Sequence, residues 1–515
     1  MAISLILVGS LILGAITYYL WQWSYWMRRG IGGPRGYPIV GVLDKMLDHW
    51  SPPGIQLREW TKKYGPIYGI TEGVQKTLIT SDADFVNEVF VRQFDNFYGR
   101  KLNPLQGDPN ANKRVHLFAA QGHRWKRLRT LSSPTFSNNS LRRILQSVEE
   151  SALELLGHLE AGVDANGQTV DMLAYYQEFT LDVIGKVAMG QTDSLMFRNP
   201  MLEKVKAIFG GERKNMFLIA GTFPVCGAVL RHIFTHFPSL SPAFGIFDVI
   251  EKAVGARIAQ RDSDARRGVE LGEPQDFIDL FLDARADVDF FSGEHVAFAT
   301  SQVAKVDKHL TLDEIVGQCF VFLVAGYDTT ALSLAYTSFL LATHPGVQTK
   351  LREEIDRECP NPEVTFDQLT RLKYMDAVIK ETLRMYPLAS VVHTRKCMRD
   401  TTVLGRAIEA GTNVQVDTWT LHYDPKIWGD DADEFRPERW SNGESLAKKG
   451  YLPFGLGPRQ CIGMRLAYME EKLLLVHLLR KYTFSAAADS STFPLRLVGR
   501  ATTAPTEVPI QLCCR

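Results

Sequence analysis

Charge is missing from the start of this 515-residue chain: residues 1–27 contain no Asp, Glu, Lys or Arg. That run exceeds the roughly 20 residues a helix needs to cross a bilayer. The lack of charge argues against a solvated beginning and predicts a membrane-spanning helix over 1–27. Tyr18, Tyr19, Trp21, Trp23, Tyr25 and Trp26 crowd its end, where amphipathic rings favour the headgroup layer, and Arg28 and Arg29 follow. By the positive-inside rule the downstream chain then faces the cytoplasm. A cleaved signal peptide would bring a basic start, a shorter apolar run and a small-residue cleavage site, and these 27 residues offer none of them. Cysteine is scarce: 7 in the whole chain, an odd number without regular spacing, which excludes a disulfide framework. Net charge is lacking too, with 58 Lys+Arg against 58 Asp+Glu. No global field draws a polyanion, so a protein that coats nucleic acid is excluded. Internal repeats and low-complexity tracts are also missing.

What remains can bury a core, since 45% of residues are hydrophobic and 23% charged. Residues 30–38, GIGGPRGYP, cannot continue a helix. The expected organisation is a spanning helix at 1–27, a Gly/Pro hinge at 28–40 and one body at 41–515. The polar, aperiodic stretch 285–309 reads as an exposed connector. Long helix-period segments such as 139–159 and 463–482 dominate, whereas β-like pieces such as 67–71, 76–80 and 413–416 are few. The expected fold class is mainly α (α+β): a large helical domain, a small β-rich lobe and the N-terminal helix.

The densest chemistry lies in 454–463, FGLGPRQCIG. Glycines and Pro458 precede Cys461, and Gly463 opens a helix-period run. The sulfur therefore sits on a turn at a helix mouth, where backbone N–H groups and the dipole favour a thiolate. Glycines let backbone approach a flat ligand, Phe454 shields the sulfur, and Arg459 supplies a cation. The set suits sulfur ligation of haem iron with an ion-paired propionate. Zinc would need further close ligands, and no other Cys or His lies near Cys461 in sequence.

Phe454, Gly457, Arg459, Cys461 and Gly463 together form F-x-x-G-x-R-x-C-x-G, and with them the chain resembles the cytochrome P450 family. Further motifs match in order. AGYDTT, 325–330, interrupts an apolar helix that starts at a capping box, Thr311 and Glu314, stops at Pro345 and spans about 50 Å. An acid there is costly unless solvated or partnered, and a mid-helix Thr reads otherwise as a structural kink. The resemblance implies that Asp328 and Thr329 pass protons to bound dioxygen. E-x-x-R is present as Glu381 and Arg384, which share one helix face. With Arg439 of FRPERW, 435–440, it resembles the family's buried scaffold network under the haem. Trp440 stands where Phe is more usual, a size change expected to be tolerated. Trp125 and Arg129, one turn apart, resemble the family's propionate-binding helix, and SSPTFS follows at 132–137. Arg395 in HTRKC resembles a further propionate contact, beside His393, which reads equally as a satisfied polar group. The hinge offers only Pro34 and Pro38 where the family is richer in proline.

The likeness runs from the N-terminal helix through YGPIYG, 64–69, to the Cys461 loop, and is closest to animal microsomal members that oxidise drugs and steroids. It implies haem b (iron protoporphyrin IX) on Cys461 as axial ligand, with Trp125, Arg129, Arg395, Phe454, Gly457, Arg459 and Gly463 around it. It also implies electrons from an NADPH-cytochrome reductase or a small haem electron carrier, an endoplasmic reticulum membrane location, and oxygen insertion into a lipophilic substrate, with no nucleic-acid partner. Lys126, Arg127, Lys448, Lys449 and Arg465 read either as a basic docking face for the reductase or as a solvated surface. Segments 97–118 and 215–247 carry apolar and aromatic runs expected to line the pocket, and membrane lipid is expected to meet the second. Two alternatives stay open: a haem-thiolate isomerase or dehydratase acting on lipid peroxides, which can dispense with the acid and alcohol pair, and a non-catalytic haem-binding protein.

Overall fold

The computed structural model describes residues 2–162, 168–210, 214–237, 240, 242–270, 272–274, 276–284, 309–441, 447–487 and 494–515. The connector expected at 285–309 lies outside them except for His309. The scaffold is the helix Leu312–Thr343, whose start is fixed by a reciprocal cap. Thr311 Oγ1 accepts from the Glu314 N–H at 3.2 Å, and Glu314 Oε2 accepts from the Thr311 N–H at 3.1 Å. It is apolar all round, as a helix at the centre of a large core should be, and ends where His344 leads into Pro345. Met172–Met189 packs along it. Gly326 allows the close approach, since a Cβ there would stand 3.0 Å from Ile184 Cδ1. Asn138–Gly162 and Met464–Lys481, expected from their periodicity, close the main core around this pair.

A four-stranded mixed sheet holds Ile67–Glu72, Gln75–Thr80, Asn413–Val416 and Thr394–Lys396 in that order; its second and third strands run parallel and its other pairs antiparallel. The register puts Tyr68, Ile70, Glu72, Gln75, Thr77 and Ile79 on one face. Tyr68, Ile70 and Ile79 enter a small apolar cluster, while Glu72 and Gln75 mark a polar end.

The N-terminal helix Ala2–Trp23 is exposed along most of its length, and residues Ile3–Trp23 are long and apolar enough to cross a membrane. Two of the six aromatics expected at the headgroup layer are instead buried in the β-lobe. Tyr25 and Trp26 are 2% and 7% exposed, and the Trp26 indole donates to Ile70 O at 2.8 Å. The indole lies on Gly69, where a Cβ would stand 2.2 Å from it. The glycines of the expected Gly/Pro hinge are bonded along the body: the Gly69 N–H donates to Gly32 O at 2.9 Å, and Gly33, at φ +154°, leaves no room for a Cβ against Gly69 O.

Candidate functional site

Cys461 follows a short helical turn, Gly457–Arg459, and precedes Met464–Lys481. Its N–H donates to Phe454 O at 2.9 Å, closing the loop. Gly455 and Gly457 sit at φ +76° and +73°, a region costly to other residues. A Cβ on Gly457 would also lie 2.1 Å from Phe90 O, so backbone packs on backbone there. Phe454 packs on Tyr468, with ring centroids 5.6 Å apart. The sulfur is open to a recess while the surrounding protein withdraws water from it. That burial raises the thiol's pKa, and N–H groups of Gly463 and Met464 with the cations of Arg129 and Arg100 pull it back. Phe136 connects this loop to the central helix: it approaches Gly463 and lies 5.1 Å, centroid to centroid, from Phe322.

Around the sulfur stand four arginines whose hydrogen bonds among the described residues end on backbone carbonyls. Arg459 donates to Tyr98 O at 3.0 Å and Ala120 O at 2.6 Å, with its guanidinium 4.6 Å from the centre of the Trp125 ring. Arg129 donates to Gln460 O at 2.9 Å, and Arg395 to Thr394 O and Leu456 O at 2.8 and 3.0 Å. The fourth, Arg100, donates to Val392 O at 2.8 Å. It carries no motif in the sequence, and reading the sequence missed it; the nearest signal is its place between Phe97 and Phe118 in a segment expected to line the pocket. Nε of Arg100 and of Arg395 are buried without an acceptor. Burial lowers all four arginine pKa values, that of Arg100 to about 10. Mutual repulsion adds to this at Arg100, Arg395 and Arg459. Uncompensated buried cations are costly, so the cluster is built for an anionic group. With one thiolate donor and a glycine turn, the set fits an iron porphyrin bearing two carboxylates. His393 is neutral there: burial first, then Arg100 and Arg395, lowers its pKa to about 3, and its Nδ1 is satisfied by Thr418 Oγ1 at 2.8 Å.

On the central helix Ala325 is exposed and Thr329 half-buried, so one face opens amid buried neighbours. The Thr329 hydroxyl donates to Ala325 O at 2.7 Å, the back-bond expected of a mid-helix threonine. Asp328 turns elsewhere: its carboxylate accepts from Thr502 Oγ1 at 2.6 Å and from Gln177. Burial raises its pKa to about 6, against those two hydrogen bonds. The acid and the alcohol share no hydrogen bond among the described residues.

Glu381 is fully buried and receives five donors. Arg384 Nε and Nη2 donate at 2.9 and 2.8 Å, Arg439 Nε at 3.2 Å and the Arg436 N–H at 3.3 Å; the fifth is the Trp440 indole at 2.9 Å. Trp440 is thus more than a change of size, because its N–H fills an acceptor site that Phe would leave open. Arg127, read as part of a basic face, is buried and clamps Glu314 at the start of the central helix, the shortest bond being 2.8 Å. Lys449 pairs with Asp84 at 3.4 Å, Arg465 is exposed, and the Lys448 side chain lies outside the described residues.

Comparison with known proteins agrees with this geometry. The cytochrome P450 family pattern matches residues 31–509. Two Caenorhabditis elegans proteins named cytochrome P450 CYP13A5 and CYP13A4 are each 64% identical over 519 aligned positions, covering 100% of this chain and 99% of their own length. A third, CYP13A7, is 62% identical with complete coverage of both. The chain belongs to the cytochrome P450 family, and with that family's helical fold it is a haem-thiolate monooxygenase that works with a redox partner on lipophilic substrates.

Proposed function

We propose that the chain is a single-pass enzyme of the endoplasmic reticulum membrane, with its body in the cytoplasm. In this reading it holds haem b on Cys461, receives electrons from an NADPH-cytochrome reductase, and inserts one atom of O2 into a lipophilic substrate taken from the bilayer. The observation that carries the reading is the group of four arginines, three of them buried, with backbone acceptors and two orphaned Nε atoms, around one loop cysteine. Arg129, Arg395, Arg459 and Arg100 bind the propionates, Trp125 holds Arg459 in place, and Phe454, Gly457 and Gly463 shape the sulfur's turn. When bound, the haem supplies dioxygen activation, which a thiolate ligand favours.

The chain's own part is position and protons. Thr329 presents a hydroxyl on the open face of the central helix, and Asp328 stores a proton behind it between Thr502 and Gln177. A pKa of about 6 lets that carboxyl change state near neutral pH. Glu381, Arg384 and Arg439 hold the scaffold and take no part in the chemistry. The apolar helix Ile3–Trp23 supports the anchor, and exposed Ile219, Phe223, Val225 and Val229 support contact of the body with the bilayer.

Two measurements test the reading. Cys461→Ser should abolish the carbon-monoxide absorption of a sulfur-ligated reduced haem; an unchanged band removes the ligand assignment. Product formation should consume NADPH when purified reductase is supplied, and Thr329→Ala should keep haem while uncoupling that consumption from product. Turnover of a lipid peroxide without reductant would instead support an isomerase.

A further inference from the structure

Trp21, Tyr25 and Arg28 recur at helical spacing, so they share one face where the N-terminal helix ends and the short helix Tyr25–Arg28 follows. Three cations gather on the rings of that face. The Arg28 guanidinium lies 4.5 Å from the centre of the Trp21 ring and donates to Trp21 O at 2.8 Å; that of Arg29 lies 3.7 Å from the centre of the Tyr25 ring. The third, Lys76, comes from the sheet, and its Nζ stands 4.0 Å from the Tyr25 ring centre and 5.7 Å from that of Trp21. The carboxylates do not match this set. Glu72 lies on the other face of the sheet and is taken by Lys101 and Thr77. Glu409 feels the charge of Lys76, but one of its oxygens accepts from Arg29 and the other from the Tyr25 hydroxyl at 2.9 Å. Among the described residues Lys76 has no hydrogen bond and no ion pair. Burial lowers its pKa, Glu409 raises it, and the repulsion of Arg29 and Arg28 lowers it again. An ammonium carries three N–H donors, and withdrawing it from water without an acceptor is costly.

We propose that Trp21, Arg28 and Lys76 form a binding site for the phosphate of one anionic phospholipid, which ties the N-terminal helix to the sheet. The inference rests on the membrane-spanning reading of that helix and goes beyond it. The depth fits. Ile3–Trp23 is apolar and unburied within the chain, and Trp21, 51% exposed near its end, stands where rings favour the headgroup layer. A phosphate offers several charged acceptors at once, to an ammonium and to a guanidinium fork. A choline or ethanolamine head would bring its own cation to a group already in excess, so the fit is to a head of net negative charge, such as that of phosphatidylglycerol. Arg28 is a cation expected at the end of a membrane span. Lys76 carries no motif, and only the packing of Tyr25 on the β-lobe brings it to the same ring.

The test uses the full-length holoenzyme in phosphatidylcholine vesicles carrying a trace of spin-labelled phosphatidylglycerol or spin-labelled phosphatidylcholine. At about 0.15 M salt, charges beyond roughly 8 Å are screened. Paramagnetic resonance reads the motionally restricted share of each label, and the reduced carbon-monoxide band checks that each variant is folded. Phosphatidylglycerol should associate about fivefold or more tightly than phosphatidylcholine. Lys76→Met keeps an apolar stem on Tyr25 and should bring that ratio below about twofold; Arg28→Gln, at an exposed position, should act in the same direction. Arg35→Gln, the same loss of charge on an exposed residue outside the cluster, should leave the ratio in place. Equal association of the two lipids with the wild type overturns the proposal. Equal losses in Lys76→Met and Arg35→Gln overturn it as well, because diffuse surface charge would give them. Replacing chloride by inorganic phosphate at constant ionic strength should not change the ratio; a collapse assigns the site to a soluble phosphate and overturns the lipid. So does a ratio unchanged in Lys76→Met while NADPH consumption with reductase falls, which assigns the cations to a protein partner. Flotation with pure phosphatidylcholine vesicles separates the two levels. A chain that stays behind loses the membrane reading, whereas one that floats without preferring phosphatidylglycerol loses only the lipid site.

Discussion

At Glu381 an indole, two guanidiniums and a backbone N–H compete for two carboxylate oxygens, and each donor removed leaves charge without a partner. Trp440→Phe keeps the ring but deletes the donor at 2.9 Å. We expect a loss of about 1.5–3 kcal/mol, the usual worth of a hydrogen bond to a charged group, read as a lower thermal midpoint with the haem spectrum retained. A midpoint equal to the wild type would mean that the remaining donors suffice. Gly457 presents a different constraint, since both its φ of +73° and its contact with Phe90 O exclude a side chain. Gly457→Ala should cost about 2 kcal/mol or more from left-handed strain and overlap. It should yield protein poor in haem, and haem content per mole of purified chain measures it.

Between elements, the tie that distinguishes this core joins Met464–Lys481 to Leu312–Thr343. Glu471 Oε2 accepts from Ser333 Oγ at 2.7 Å and Oε1 from Thr337 Oγ1 at 2.8 Å, all of it buried. Burial raises the carboxyl from 4.5 to about 7, partly offset by the two hydroxyls and Lys472. Below pH 4.5 the group is protonated in both folded and unfolded chains and adds nothing to the pH dependence. Between 4.5 and about 7 the unfolded chain gives up its proton first, so native stability falls as pH rises, and the penalty is complete above 7. Glu471→Gln keeps a hydrogen-bonding partner for both hydroxyls and has no proton to lose. Its stability relative to wild type should rise by roughly 3 kcal/mol from pH 4.5 to 8. Thermal unfolding at the two ends of that range checks it; a constant difference would show that the carboxyl is ionised throughout.

On the scale of the whole molecule, the N-terminal helix and the catalytic body are mechanically joined. Trp26 is seated over Gly69, Tyr25 donates to Glu409 at 2.9 Å, and Tyr19 donates to Thr222 O at 2.8 Å, at the end of the helix Lys214–Thr222. The body therefore has one preferred attitude to the N-terminal helix. Trp26→Ala removes a buried ring, worth about 3–5 kcal/mol in a packed core, and should free residues 28–40. We expect trypsin to cut at Arg28, Arg29 and Arg35 faster in that variant than in wild type, with the haem spectrum unchanged. Equal rates would mean that the glycine contacts alone hold the segment.

Local pattern was enough for everything that short-range physics governs. The apolar start, the period and capping box of the long helix, three strands of the main sheet and the glycine turn around Cys461 each depend on neighbours within a few residues, and each was legible in the sequence. So was the E-x-x-R pair, because helical spacing brings its members together. Partners chosen by packing were not legible. Arg100 joins Arg459 and Arg395 across more than two hundred residues, Arg127 turns inward to Glu314, Trp440 donates to Glu381, and Asp328 reaches Thr502. A charged side chain takes its role from whichever opposite charge or carbonyl the fold brings near, and nothing in its own stretch of sequence records that choice. The sequence alone determined the family, the long helices and the glycine turn that carries Cys461; the tertiary structure alone decided which cations stand around that turn and which acid is buried, because those partners come from remote stretches of chain.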